Sequence, residues 1–128
     1  MGLQMPKKHT QLPETRETLP REALEIVAAR FRAMGDATRL ELLQLLMEDE
    51  KSVQELCGLT GMSQANISKH LSILADQGIL NRRKQGLFVF YSVADTSIYQ
   101  LCDLVCGALS ERFSKVQKHF EHKSSLTS

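Results

Sequence analysis

Cysteine is scarce in this chain. Its 128 residues hold three, Cys57, Cys102 and Cys106, and an odd number argues against a disulfide framework. They are free thiols, metal ligands or redox centres. Long apolar runs are missing as well: nothing approaches the roughly 18 residues of a membrane span, and the opening MGLQMPKKHTQLPETRETLPR has no signal-peptide core. A cytoplasmic protein with no membrane partner is expected. Internal repeats and low-complexity blocks are absent, and the three prolines, Pro6, Pro13 and Pro20, all lie in a polar stretch without apolar periodicity. Residues 1–20 therefore read as a flexible N-terminal arm.

What remains is enough for one domain with a modest core. Hydrophobic residues at 42% and charged residues at 24% fit an ordinary soluble protein. The net charge of +1 hides an asymmetry. Residues 1–60 carry 8 Lys/Arg against 10 Asp/Glu, whereas residues 61–128 carry 8 against 5, so the second half is the basic one.

Leu24, Val27, Ala28 and Phe31 mark one face of a first helix from Arg21 to Met34, ended by Gly35. Asp36 caps a second, in which Leu40, Leu42, Leu43, Leu45, Leu46 and Met47 are apolar nearly all round, the mark of a buried centre. The acidic run Glu48, Asp49, Glu50 then breaks to solvent. Ser52 and Glu55 form a capping box for a short third helix with Val53, Leu56 and Leu59 inward and Gly61 at its end. Ser63 caps a fourth to about Gln77, followed by Gly78. ILNRRKQGLFVFYSV reads as a hairpin turning at Gln85 and Gly86, and Asp95 caps a long last helix to about His122. The expected fold is mainly α with a small β-hairpin (α+β), in the order α-α-α-α-β-β-α. A tight GLTGMS turn between helices, then a hairpin, makes a winged helix-turn-helix over residues 21–123, with 124–128 as a frayed tail.

On the fourth helix Ile67, Leu71 and Leu74, with Ala75 beside them, fall on one side. The other side presents Ala65, Ser68, Lys69 and Ser72, with Gln64 and Asn66 near its start. Short donors and acceptors of this kind can reach base edges in a major groove: Gln and Asn suit adenine, Ser several acceptors, Ala a thymine methyl, Lys guanine or phosphate. An isolated amphipathic helix with this face would simply be solvated. Here Arg82, Arg83 and Lys84 follow at the hairpin tip, where cations can sit on flanking phosphates, and Asp76 is the one acid between Gly61 and Gly86. Double-stranded DNA is the expected partner. Nucleophilic catalysis by His70 with Ser63 or Ser68 is disfavoured. Residues two apart on a helix do not face each other, and neither an orienting acid nor a GxSxG elbow is present.

GDATRLELLQLL, ELCGLTGMSQANISKHLSILADQGIL and RRKQGLFVFYSV together resemble the ArsR/SmtB family of winged-helix repressors over about residues 22–112. The resemblance implies a homodimer joined through the first and last helices, reading a palindromic operator and released by an inducer, often a soft or transition metal. It places the reading positions on Ser63, Gln64, Ala65, Ser68, Lys69 and His70. The family's metal-box cysteine falls on Ser52, and its zinc pattern on Asp95, Ser97, Ala108 and Glu111, without either histidine. Neither well-known metal site carries over.

Cys102 and Cys106, four apart on the last helix, share a face with Ile98, Val105, Leu109, Phe113, Val116 and Phe120. Several readings of this pair stand side by side. They pack a dimer seam as small hydrophobes. They bind a soft metalloid such as arsenite or antimonite, completed by Cys57 or a partner-chain thiol. They form a redox pair needing no metal, or serve a small dithiol enzyme, although mid-helix thiols on an apolar face lack the electropositive, exposed setting of a reactive cysteine. Cys57 alone fits core better than ligand. His119 and His122, among Lys115, Lys118 and Lys123, fit cations at a helix C-terminus better than a zinc pair, and His9 lies in the arm.

Overall fold

The computed structural model describes the backbone of residues 18–127 and the side chains of residues 18–117. Most of the expected arm, with His9, lies outside the described residues, as do the side chains of His119, Phe120 and His122. The element order is α1 (Arg21–Met34), α2 (Ala37–Glu48), β1 (Lys51–Ser52), α3 (Val53–Thr60), α4 (Gln64–Asp76), β2 (Leu80–Gln85), β3 (Phe88–Val93) and α5 (Ser97–Thr127). This is the winged helix-turn-helix architecture expected, with one additional strand.

Local chemistry places most helix ends. Asp36 Oδ1 accepts from the Arg39 backbone N–H at 3.0 Å and starts α2. Ser52 Oγ accepts from Glu55 N, while Glu55 Oε1 accepts from Ser52 N at 2.8 Å, so both halves of the capping box are made. Gly61, at φ 77°, closes α3 by donating to Cys57 O. Two residues later Ser63 Oγ takes the Asn66 N–H and begins α4. The Gly61 turn thus fixes the angle at which α4 leaves α3.

The acidic run Glu48, Asp49, Glu50 is exposed as expected, and the extra strand follows it directly. Lys51 and Ser52 pair antiparallel with Tyr91 and Phe90, giving a sheet in the order β1-β3-β2. Lys51 is buried, and its ammonium is held by Asp49, by Glu48 at 3.4 Å and by the Leu45 carbonyl at 2.9 Å. Asp49 foremost among these raises the Lys51 pKa. A cation here satisfies a carbonyl in the last turn of α2 and draws counter-charge from Glu48 and Asp49, which stay exposed.

Leu42, Leu43, Leu56, Ile67, Leu71, Leu74 and Ile79 are fully buried and form the centre of the core, joined by Leu46, Tyr91, Ile98 and Cys102. The second helix is the buried one, as its composition implies. Leu59 is not part of this core: it is 58% exposed on α3, because an eight-residue helix already buried through Val53 and Leu56 turns its last apolar residue outward. The apolar face of α1 is likewise open, with Leu24, Val27 and Phe31 exposed, and only Ala33 and Met34 buried. The last helix runs to Thr127, past the expected end near His122 and through most of the segment read as a tail.

Three carboxylates couple this fold to pH. Asp36 is held below its ordinary range first by the Arg39 backbone N–H, Glu50 by the Arg83 guanidinium, and Asp95 by the hydroxyl and backbone N–H of Ser97. Because their folded pKa values are depressed, the stability they contribute is complete above their unfolded values near 4 and is lost as pH falls through the folded ones. The urea midpoint is therefore expected to drop between pH 6 and pH 3, and to drop less in an Asp36→Asn/Asp95→Asn variant. An equal drop in both proteins would contradict this assignment.

Candidate nucleic-acid interface

Ile67, Leu71 and Leu74 have no exposed surface and pin one side of α4 to the core. Gln64, Ala65, Asn66, Lys69 and Ser72 consequently stand in solvent, while Ser68 is half-buried toward the hairpin. Ser63 is spent partly as the helix cap, though its side remains exposed. The Asn66 amide donates to the Met62 sulfur at 3.5 Å.

His70 is placed differently from the rest. It is half-buried on the flank facing α2, and its Nδ1 lies 3.1 Å from an Arg39 guanidinium nitrogen. The same Arg39 donates to the Ala33 carbonyl at the end of α1. Arg30, from α1, donates to the Gln77 carbonyl at the end of α4 at 2.8 Å and pairs with Asp95 before α5 at 2.5 Å. Two arginines therefore brace α4, one at its flank and one at its C-terminal end, against α1, α2 and the approach to α5. No sequence signal could find these contacts, which join residues 31, 47 and 65 positions apart.

The wing cations divide by strand alternation. Residues pair Arg82↔Tyr91, Arg83↔Phe90 and Lys84↔Val89, so Arg82 and Lys84 share one face and Arg83 takes the other. Arg83 grips Glu50 through two nitrogens, at 2.7 and 3.1 Å, and lies 4.6 Å over the Phe90 ring. Its charge is largely matched. Arg82, Lys84 and Lys69 make no ion pair among the described residues. The unmatched positive charge thus lies on the hairpin face shared with α4. Gly86, at φ 62°, makes the tip turn, and Leu87 beside it is 92% exposed.

The cysteines occupy another region. Cys102 is buried and Cys106 half-buried at a cavity of 190 Å³ walled by Phe31, Met34, Leu40, Leu101 and Val105, between α1, α2 and α5. Burial pushes the Cys102 thiol pKa up, and Cys106 adds to the rise. That environment is opposite to the one that activates a catalytic thiolate. Cys57 is half-buried against the core. Among the described residues no three His, Cys, Asp or Glu side chains come together as a metal-binding group, so Cys57 does not complete a site with the other two in one chain. Beyond the thiols, Val105, Leu109, Phe113 and Val116 form an exposed apolar seam along α5, next to the open face of α1. Among the described residues no helix is long and apolar enough to cross a membrane.

Comparison with known proteins agrees with this geometry. Residues 36–82, from the cap of α2 into β2, match the model of the bacterial regulatory proteins of the arsR family. The chain is 39% identical over 77 residues to a probable mercury resistance operon repressor of Streptomyces lividans, covering 60% of this chain and 62% of that protein. Against the nodulation protein NolR of Rhizobium meliloti identity is 30% over 116 residues, 91% of this chain and 90% of the relative. A solution structure of a homodimeric winged helix-turn-helix DNA-binding domain from Mycobacterium bovis, a possible ArsR-family regulator, superposes with a TM-score of 0.65 at 28% identity, covering 76% of this chain and 92% of that one. Fold and sequence agree, and the chain belongs to the ArsR family of winged helix-turn-helix regulatory proteins.

Proposed function

We propose that the protein is a homodimeric transcriptional repressor that reads a palindromic operator with the outer face of α4 and lets it go when a thiophilic effector reaches Cys102 and Cys106. The observation that carries the DNA reading is the juxtaposition on one side of the molecule of Gln64, Ala65, Asn66, Ser68 and Lys69 with the unpaired cations Arg82 and Lys84. The helix supplies groups for base edges and the wing supplies charge for phosphates. Ser63 starts the helix at the right place. Arg83 and His70 serve this surface by bracing it, Arg83 through Glu50 and His70 through Arg39. The reading calls for no catalytic residue. Two such surfaces, related by a twofold axis through the apolar faces of α1 and α5, would fall on half-sites about 34–36 Å apart.

For the effector, the name of the Streptomyces relative supports a soft ion. Two sulfurs in an apolar cavity suit arsenite or antimonite, with the third thiolate drawn from the second copy. Each sulfur would displace one hydroxyl of the neutral trihydroxide, and the thiol proton would leave with that hydroxyl as water, so binding needs no net release of protons. In a fluorescence-anisotropy titration, the wild-type protein is expected to bind a fragment of its own promoter and to release it on addition of arsenite or antimonite. Cys102→Ser/Cys106→Ser should stay bound. Release of the double variant by the same ions would remove the thiols from the mechanism, and release by a thiol oxidant alone would favour a redox pair.

A further inference from the structure

Between α4 and the wing lies a cavity of 150 Å³ whose polar lining is Gln54, Gln64, Ser68, Ser72, Arg82 and Tyr91. We propose that this cavity seats one phosphodiester of the DNA strand that passes between the reading helix and the wing, with Arg82 as its cation and Ser72 and Gln54 as hydrogen-bond donors. The inference rests on the DNA reading above and assigns a contact to a specific set of residues.

The geometry leaves few other occupants. An α-helix in the major groove and a hairpin beside it straddle the sugar-phosphate backbone that separates two grooves, so whatever enters the space between α4 and the hairpin is backbone, not base. Its chemistry fits an anion. Hydroxyls, amides and a guanidinium can all donate into it, and no carboxylate lines it. Arg82 carries no ion pair among the described residues, unlike Arg83, which strand alternation turns to Glu50 on the far side. The seat is also firm. Ser68 and Ser72 are one turn apart on a helix locked by Ile67 and Leu71, while Arg82 pairs in register with the buried Tyr91. Leu87 and Val89 add an apolar wall that suits the hydrocarbon edge of a deoxyribose.

The test uses the full chain, its operator and duplexes in which a single phosphate at a time is replaced by an uncharged methylphosphonate. One position in each half-site should weaken the wild type about tenfold and leave Arg82→Gln without further loss. Arg82→Gln should also flatten the dependence of log K on log salt by about one phosphate per protomer, a slope change near 0.9 each, with Ser72→Ala weakened and Arg83→Gln unchanged in slope. Arg82 and Ser72 are exposed, so these variants keep the wild-type thermal midpoint, which is measured alongside. A wild-type salt slope in Arg82→Gln, or losses that add at every methylphosphonate position, would overturn the seat while the DNA reading stands. Failure of the wild type to bind any duplex would overturn both.

Discussion

Phe113→Glu is expected to convert the dimer to a monomer and to weaken operator binding by about a hundredfold to ten-thousandfold, the avidity lost when two linked half-site contacts become independent. Phe113 is 62% exposed and follows Leu109, 55% exposed, by four residues on the α5 seam. Together with Leu24, Val27 and Phe31 on α1 it leaves an apolar surface that a soluble monomer rarely carries. If the dimer is joined through this seam as proposed, each protomer would carry one such carboxylate into it, placing like charges in a desolvated interface. The core that holds α4 does not include Phe113, so the variant should keep its helical circular dichroism. Sedimentation equilibrium reports the mass and anisotropy the affinity; Glu111→Gln, also exposed on α5, is the control. A dimeric Phe113→Glu protein with wild-type affinity would move the interface elsewhere.

The parts of this structure that the sequence announces are those decided within a few residues. Asp36, the Ser52 and Glu55 pair, Ser63 and Gly61 each act across three or four positions, and each is found where the helix ends require it. The Ile67, Leu71 and Leu74 stripe settles which side of α4 faces out for the same reason. What escaped depends on distant partners. Strand β1 is two residues long, too short to show alternation, and exists because β3 offers it an edge. Nothing near Arg83 in sequence points to Glu50, 33 residues earlier, and so three adjacent wing cations looked equivalent when Arg82 and Lys84 share one face of the hairpin and Arg83 takes the other. His70 reads as an outward residue until Arg39, 31 residues away, claims its Nδ1. Leu59 fails differently: its spacing is right, but α3 is too small to bury three apolar side chains. For the thiols, spacing placed Cys102 and Cys106 together, while the cavity wall from α1 and α2 needed the fold.

The second large effect bears on the outer face of α4. Gln64 and Ser68 stand on that face toward the wing, backed by side chains with no exposed surface, so truncating them removes the groups proposed to reach DNA without moving the helix. A side chain paired with a base edge contributes about 1–3 kcal/mol of discrimination, and a phosphate contact contributes to every sequence alike. The decisive measurement is the ratio of operator to random-duplex affinity at one salt concentration for the wild type and for Gln64→Ala/Ser68→Ala. The reading surface assigned to α4 predicts that this ratio falls by about tenfold or more, with random-duplex binding changed little. An unchanged ratio would show that α4 does not read the operator.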